Sequence, residues 1–119
     1  LAIEPTTPEP VQGNSGSAIE IAAGGKHLYV GNRGHDSIGG FAIDQATGIA
    51  RLIGTTPCGG RVPRDFAFDP TGQILVVANQ ESDLLSIFRY QGDTGALLPI
   101  GAPIPSGSPT AIAFHPRIR

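Results

Sequence analysis

Arg64 and Gln80 bracket the most informative stretch of the sequence, PRDFAFDPTGQILVVANQ (Pro63–Gln80). Inside it, Asp69-Pro70-Thr71-Gly72 predicts a type I turn: Pro pre-sets φ, Asp caps the turn and Gly closes it. Phe66, Phe68, Ile74 and Val76 alternate with smaller or polar neighbours, the period of two that marks strands. A hairpin of this kind brings Arg64 and Gln80 out at the same end. A guanidinium placed there can stabilise the oxygen of a carbonyl under attack, or grip a phosphate with two parallel hydrogen bonds. Attack by water also needs a general base, and Glu20 and His35 are the candidates. His35 lies in Asn32-Arg33-Gly34-His35-Asp36. Its neighbour Asp36 could orient the imidazole, although residues adjacent in sequence rarely reach that geometry. Arg64, His35 and Glu20 are thus the candidate catalytic residues. Arg33, Gln80 and Asn79 are the candidate substrate-binding residues. Each has a structural alternative: Arg64 in an ion pair with Asp65, Asp36 as a cap on the next strand, Asn79 as a turn residue, Glu20 paired with Lys26 or an arginine.

The elements that position these residues are short. The chain has 119 residues, with 17 Gly and 11 Pro, a density of breakers that fits many strands joined by turns. No window of helical length carries the apolar spacing of a helix without an interrupting Gly or Pro. The formal charge of −2 and the lack of a long basic cluster exclude electrostatic binding of nucleic acid or an acidic membrane. No apolar run approaches the ~18 residues that cross a bilayer. Leu1-Ala2-Ile3 is followed by Glu and Pro, which is no signal peptide. With the single Cys58, the expected setting is reducing and cytoplasmic, for a chain whose N-terminus, lacking Met, is open to trimming. No spacing among the His, Cys and acidic residues describes a metal site, and Gly59-Gly60 lacks the strand–loop–helix context of a phosphate loop. No metal or cofactor is expected.

The sequence repeats. Gly25–Gly54, shifted by 47 residues, lies on Gly72–Gly101 with ten of 30 positions identical, among them Asn32/Asn79, Asp36/Asp83, Phe41/Phe88 and Gly54/Gly101. Pro63–Pro70, shifted by 46, meets PTAIAFHP at Pro109–Pro116. A period near 45 residues in a strand-only pattern predicts the four-stranded antiparallel blades of a β-propeller. The fold class is therefore all-β: a propeller fragment with two complete blades and parts of two others. Residues 1–16 form the tail of a preceding blade and a loop, 17–60 one blade, 61–108 the next, and 109–119 the first strand of a further blade. Expected strands are Ala18–Ala22, His27–Asn32, Ser37–Asp44, Ala50–Thr55, Asp65–Phe68, Ile74–Asn79, Leu84–Tyr90, Leu97–Ala102 and Ala111–Phe114. Phe41, Phe68, Phe88 and Phe114 are the expected core. In a meander, the turns after each second strand share one face with the inter-blade segments. Nearly every unusual polar residue gathers there, and Arg64 opens an inner strand at the channel mouth.

Three stretches carry a resemblance to a known family: GKHLYVGNRGHDSI (Gly25–Ile38), PRDFAFDPTGQILVVANQ (Pro63–Gln80) and TGALLPIG (Thr94–Gly101). Together they resemble the seven-bladed lactonase family, best known for bacterial 6-phosphogluconolactonases, over roughly residues 17–116. The resemblance implies a lactonase-type hydrolase that opens a sugar lactone by water attack. It also implies the C-terminal portion of a chain about three times as long. The family usually carries Glu-Ile-His on the inner strand before the Gly25-Lys26 turn. Here those positions hold Ala18, Ile19 and Glu20, so no His is present, and the family's inner-strand base is either missing or replaced by Glu20. Two function classes stay open. One is this hydrolase, with a sugar lactone or other small molecule as ligand. The other is a non-catalytic propeller scaffold that binds a protein or small ligand on its polar face. Two blades leave open sheet edges, so the expected partners include the remaining blades of a ring or copies of the chain itself.

Overall fold

The computed structural model describes residues 15–109 and residue 112. The expected tail at 1–14 and nearly all of the expected strand Ala111–Phe114, including the core candidate Phe114, lie outside the described residues. Two antiparallel meanders account for the rest. The first runs β1 (Ser15–Ile21), β2 (His27–Arg33), β3 (Ser37–Ile43), β4 (Ala50–Pro57), paired in that order. The second runs β5 (Pro63–Phe68), β6 (Ile74–Asn79), β7 (Leu84–Tyr90), followed by β8 (Leu97–Pro99) and β9 (Ile104–Pro105), which both pair with β7. A 3₁₀ turn at Gln80–Ser82 is the sole helical element among the described residues.

Two details differ from the sequence expectation. β1 starts at Ser15 rather than near Ala18, with a bulge between Gly16 and Ile19. The fourth strand of the second blade is broken, where a continuous Leu97–Ala102 was expected. Gly54 and Gly101 occupy the same repeat position, but Gly54 only bulges β4 opposite Gly40 and Phe41. Gly101, at φ 67, turns the chain, and β9 resumes the pairing three residues later.

The turns follow from their residues. Gly72 donates to Asp69 O at 2.9 Å, and Asp69 Oδ1 accepts Ile74 N at 3.0 Å. Gly72 holds φ 74, a conformation that glycine adopts without a Cβ penalty. In the first blade, Asp44 Oδ1 accepts the amides of Ala46 and Thr47 at 2.8 and 2.9 Å, which pre-forms the β3–β4 loop.

The core lies between the blades. Tyr29 and Ile38 from the first blade and Phe66, Leu75, Val77 and Phe88 from the second belong to one buried cluster. Phe41 and Phe88 are buried at equivalent positions, as the repeat predicted, and Phe68 packs against the cluster. Tyr29, Phe68 and Tyr90 meet edge to face, with centroids 5.5–6.1 Å apart, across the seam. Such pairs are each worth about 0.5–1.5 kcal/mol beyond the area they bury. The outer side of the first blade is different. Ile19 and Ile21 occupy the repeat positions of Phe66 and Phe68. Yet they are 63% and 59% exposed, whereas Phe66 is fully buried. No described residue covers the β1 face to which they belong.

Candidate functional site

The inner strands β1 and β5 run side by side. Their starting ends coincide with the finishing ends of β2 and β6, because Ser15 pairs with Arg33 and Pro63 with Asn79. At this end an open cleft of about 320 Å³ is lined by Gly16, Ser17, Ala18, Arg33, Arg64 and Asp65. Two guanidinium groups from two blades therefore share one cleft. Arg64 is exposed, at the second position of β5. Arg33 closes β2 and donates from Nη2 to Gly16 O at 3.0 Å; its buried Nε–H has no acceptor among the described residues.

The Asp65 carboxylate reaches beyond the cleft. Its Oδ2 accepts the amide of Ile112 at 3.0 Å, a link from β5 into the segment that follows β9. Glu20 lies on β1 two residues beyond Ala18, so it shares with that cleft residue the face turned away from Ile19 and Ile21. Its carboxyl titrates above the usual range, first because burial disfavours the charge and second because Asp65 is negative.

The remaining candidates have other partners. His35 Nδ1 bonds Ser37 Oγ at 2.6 Å. The Asp36 carboxylate accepts Val62 N at 3.0 Å and Gly34 N at 3.4 Å, so Asp36 serves the backbone. Asn79 is fully buried; its Nδ2 donates to Ser86 Oγ at 2.8 Å and Cys58 O at 3.2 Å. Gln80 opens the 3₁₀ turn and donates its amide to Val62 O at 3.0 Å. The fold thus brings Arg33, Arg64 and Asp65 together, with Glu20 further along the same face. His35, Asn79 and Gln80 are not among the described residues that line the cleft.

Sequence reasoning passed over Ser17. Its Oγ donates to Pro63 O and ties the inner strands together. The signal was available, since Ser17 is the repeat equivalent of Arg64 at an offset of 47. Among the described residues no cluster of three or more His, Cys, Asp or Glu could hold a metal ion. Among them, too, no helix is long and apolar enough to cross a membrane.

Residues 1–114 match the family model described as "Lactonase, 7-bladed beta-propeller". The chain is 37% identical over 108 residues to a 6-phosphogluconolactonase of Bacillus subtilis, covering 90% of this chain and 31% of that one. It is 49% identical over 81 residues to a 6-phosphogluconolactonase of Formosa agariphila, covering 66% of this chain and 23% of that one. Among solved structures, a protein from Lactobacillus plantarum superposes with a TM-score of 0.82 at 30% identity, over 88% of this chain and 31% of its own. The periplasmic gluconolactonase of Pseudomonas aeruginosa superposes with a TM-score of 0.75 at 34% identity, over 87% of this chain and 30% of its own. The chain spans less than a third of the length of each of these proteins.

Proposed function

The chain belongs to the seven-bladed β-propeller lactonase family, and we propose that it forms one wall of the active site of a hydrolase that opens a sugar lactone. The observation that carries this reading is the pairing of Arg33 and Arg64, from adjacent blades, in one cleft at the starting ends of the inner strands. The names of the two bacterial relatives favour a 6-phosphorylated lactone. Two neighbouring guanidinium groups suit such a substrate, because one can meet the phosphate while the other meets the carbonyl. In this reading Arg64 takes the carbonyl oxygen. Glu20, its affinity for protons raised by burial and by Asp65, accepts a proton from a water molecule. The hydroxide attacks the lactone carbonyl, and the tetrahedral oxyanion is held by Arg64. Collapse breaks the ring C–O bond. The departing ring oxygen takes the proton back from Glu20, and the product is the open-chain acid. The other walls come from further blades of the ring.

Arg64→Lys in the complete assembly tests the assignment, since it keeps the charge and loses the fork. Loss of one charge-assisted contact costs about 1.5–3 kcal/mol, or about 10–150-fold in rate. If lactone hydrolysis and ligand affinity both stay within twofold, Arg64 is structural and the reading fails. A second reading, a non-catalytic scaffold, draws on the engagement of His35 with Ser37 and the lack of a histidine on β1. Titration calorimetry that shows ligand binding without release of the open-chain acid would favour it.

A further inference from the structure

The segment that leads into Arg64 is pinned at three consecutive residues. Arg61 N donates to Ser82 Oγ at 3.0 Å. Val62 N donates to Asp36 Oδ1 at 3.0 Å, while Val62 O accepts Gln80 N at 3.0 Å. Pro63 O accepts the Ser17 hydroxyl. Val62 holds φ 57, a conformation that a β-branched residue adopts only when its surroundings impose it. Asp36, itself at φ 57, is a contact imposed from the neighbouring blade: its carbonyl also accepts Cys58 N at 3.1 Å. Both ends of the inter-blade segment are therefore tied to one residue of the first blade.

We propose that Asp36 is a positioning residue for Arg64: through the Val62 amide, it sets the point at which the arginine enters the cleft. The inference rests on the reading of Arg64 given above and extends it to a residue that does not touch substrate. The second blade supplies an internal control. Asp83, the repeat equivalent at φ 55, accepts Ser106 N on its carbonyl at 2.7 Å and Ser108 N on Oδ1 at 2.7 Å. Ser108, at φ 34, is likewise strained. This second latch is built in the same way, but the residue two positions after Ser108 is Thr110 rather than an arginine. The two aspartates do the same structural work, and only one of them delivers a guanidinium.

The test uses the complete ring and hydrolysis of a 6-phosphorylated sugar lactone. Asp36→Gly and Asp83→Gly each remove the carboxylate, and glycine accepts the left-handed backbone without penalty. The two variants should lose similar thermal stability. Asp36→Gly should also lose tenfold or more in kcat/KM, while Asp83→Gly stays within twofold of the parent. Asp36→Asn keeps an acceptor oxygen at the same place and should retain activity within about threefold. In an Arg64→Ala background, Asp36→Gly should cost less than twofold more, because no guanidinium is left to position. The inference is overturned if Asp36→Gly and Asp83→Gly have the same kinetic parameters, or if the Asp36 and Arg64 losses multiply. If Asp36→Gly does not fold, Asp36→Asn decides: a folded Asp36→Asn ring that loses tenfold overturns it. Should Arg64→Ala itself leave hydrolysis unchanged, the Arg64 reading fails, and that failure is visible separately.

Discussion

The His27 imidazole, on β2 of the first blade, meets the Tyr90 hydroxyl, on β7 of the second, through Nδ1, with the two rings near-perpendicular at 5.6 Å. This bond closes the blade seam at the end opposite the arginine cleft. Gly95 packs so closely against His27 that a Cβ there would stand 2.6 Å from the ring.

That seam has a pH dependence. Burial first, and the charge of Lys26 second, hold the His27 affinity for protons below its ordinary value. An unfolded histidine takes up a proton below about pH 6.5, but folded His27 resists until lower pH. The contribution of neutral His27 is therefore complete above about pH 6.5 and is lost as pH falls from there through the lowered folded value. Melting temperatures of the parent and of His27→Gln, measured from pH 7.5 to 5, should converge on the acid side. A constant difference across that range would show that His27 does not titrate differently on folding.

Gly31 marks how closely the blades approach. A Cβ there would lie 2.2 Å from Ser17 Oγ, 3.1 Å from Pro63 O and 3.2 Å from the Phe66 ring. Gly31→Ala should separate β1 from β5 and cost about 1–3 kcal/mol, the usual penalty of overpacking. Gly107→Ala, where no described residue lies within 4 Å, is the control and should stay within about 0.5 kcal/mol. Denaturant midpoints of the two variants measure the contrast; equal midpoints would mean that the seam gives freely at Ser17.

Ile19 and Ile21 should behave as an unsatisfied blade face. Fully buried Phe66 has the first blade against it, and the isoleucines at the equivalent position and two beyond lack such a cover among the described residues. The 119-residue chain on its own should bind the dye ANS, and Ile19→Lys with Ile21→Lys should remove most of that signal. Undiminished dye fluorescence in the double variant would place the exposed apolar surface elsewhere, at Leu98 and Ile104 for example.

Much of this architecture was legible in the sequence. The Asn32/Asn79 and Phe41/Phe88 matches set the blade period, and the Asp69–Gly72 turn placed Arg64 and Gln80 at one end, as the Pro63–Asn79 pairing bears out. Arg33 beside Arg64 was less visible, because the sequence carries no sign of how closely adjacent blades pack. The role of Asp36 was hidden for a different reason. Reading along the chain offers it His35 as a partner, but its carboxylate bonds an amide 26 residues away. The break at Gly101 also escaped, since Gly54 at the same repeat position is compatible with an unbroken strand. Repeats report what two blades share, and these features lie in what joins or distinguishes them.

Glu20 offers the sharpest kinetic prediction. A general base must be unprotonated, so kcat/KM should rise with pH through the Glu20 titration. Burial and the negative Asp65 both move that titration upward, so the acid limb in the complete ring should lie above the usual carboxylate range. Glu20→Gln should abolish the limb along with most of the rate, by about 10²–10⁴-fold for loss of a general base. Asp65→Asn removes the smaller of the two causes. It should shift the limb to lower pH without abolishing it, because burial, the larger cause, remains. Asp65 also bonds Ile112 N through Oδ2, and asparagine can keep an oxygen there, so the fold should tolerate the change. A limb that stays in place in Asp65→Asn and persists in Glu20→Gln belongs to another group, and the base would then have to be sought on a different blade.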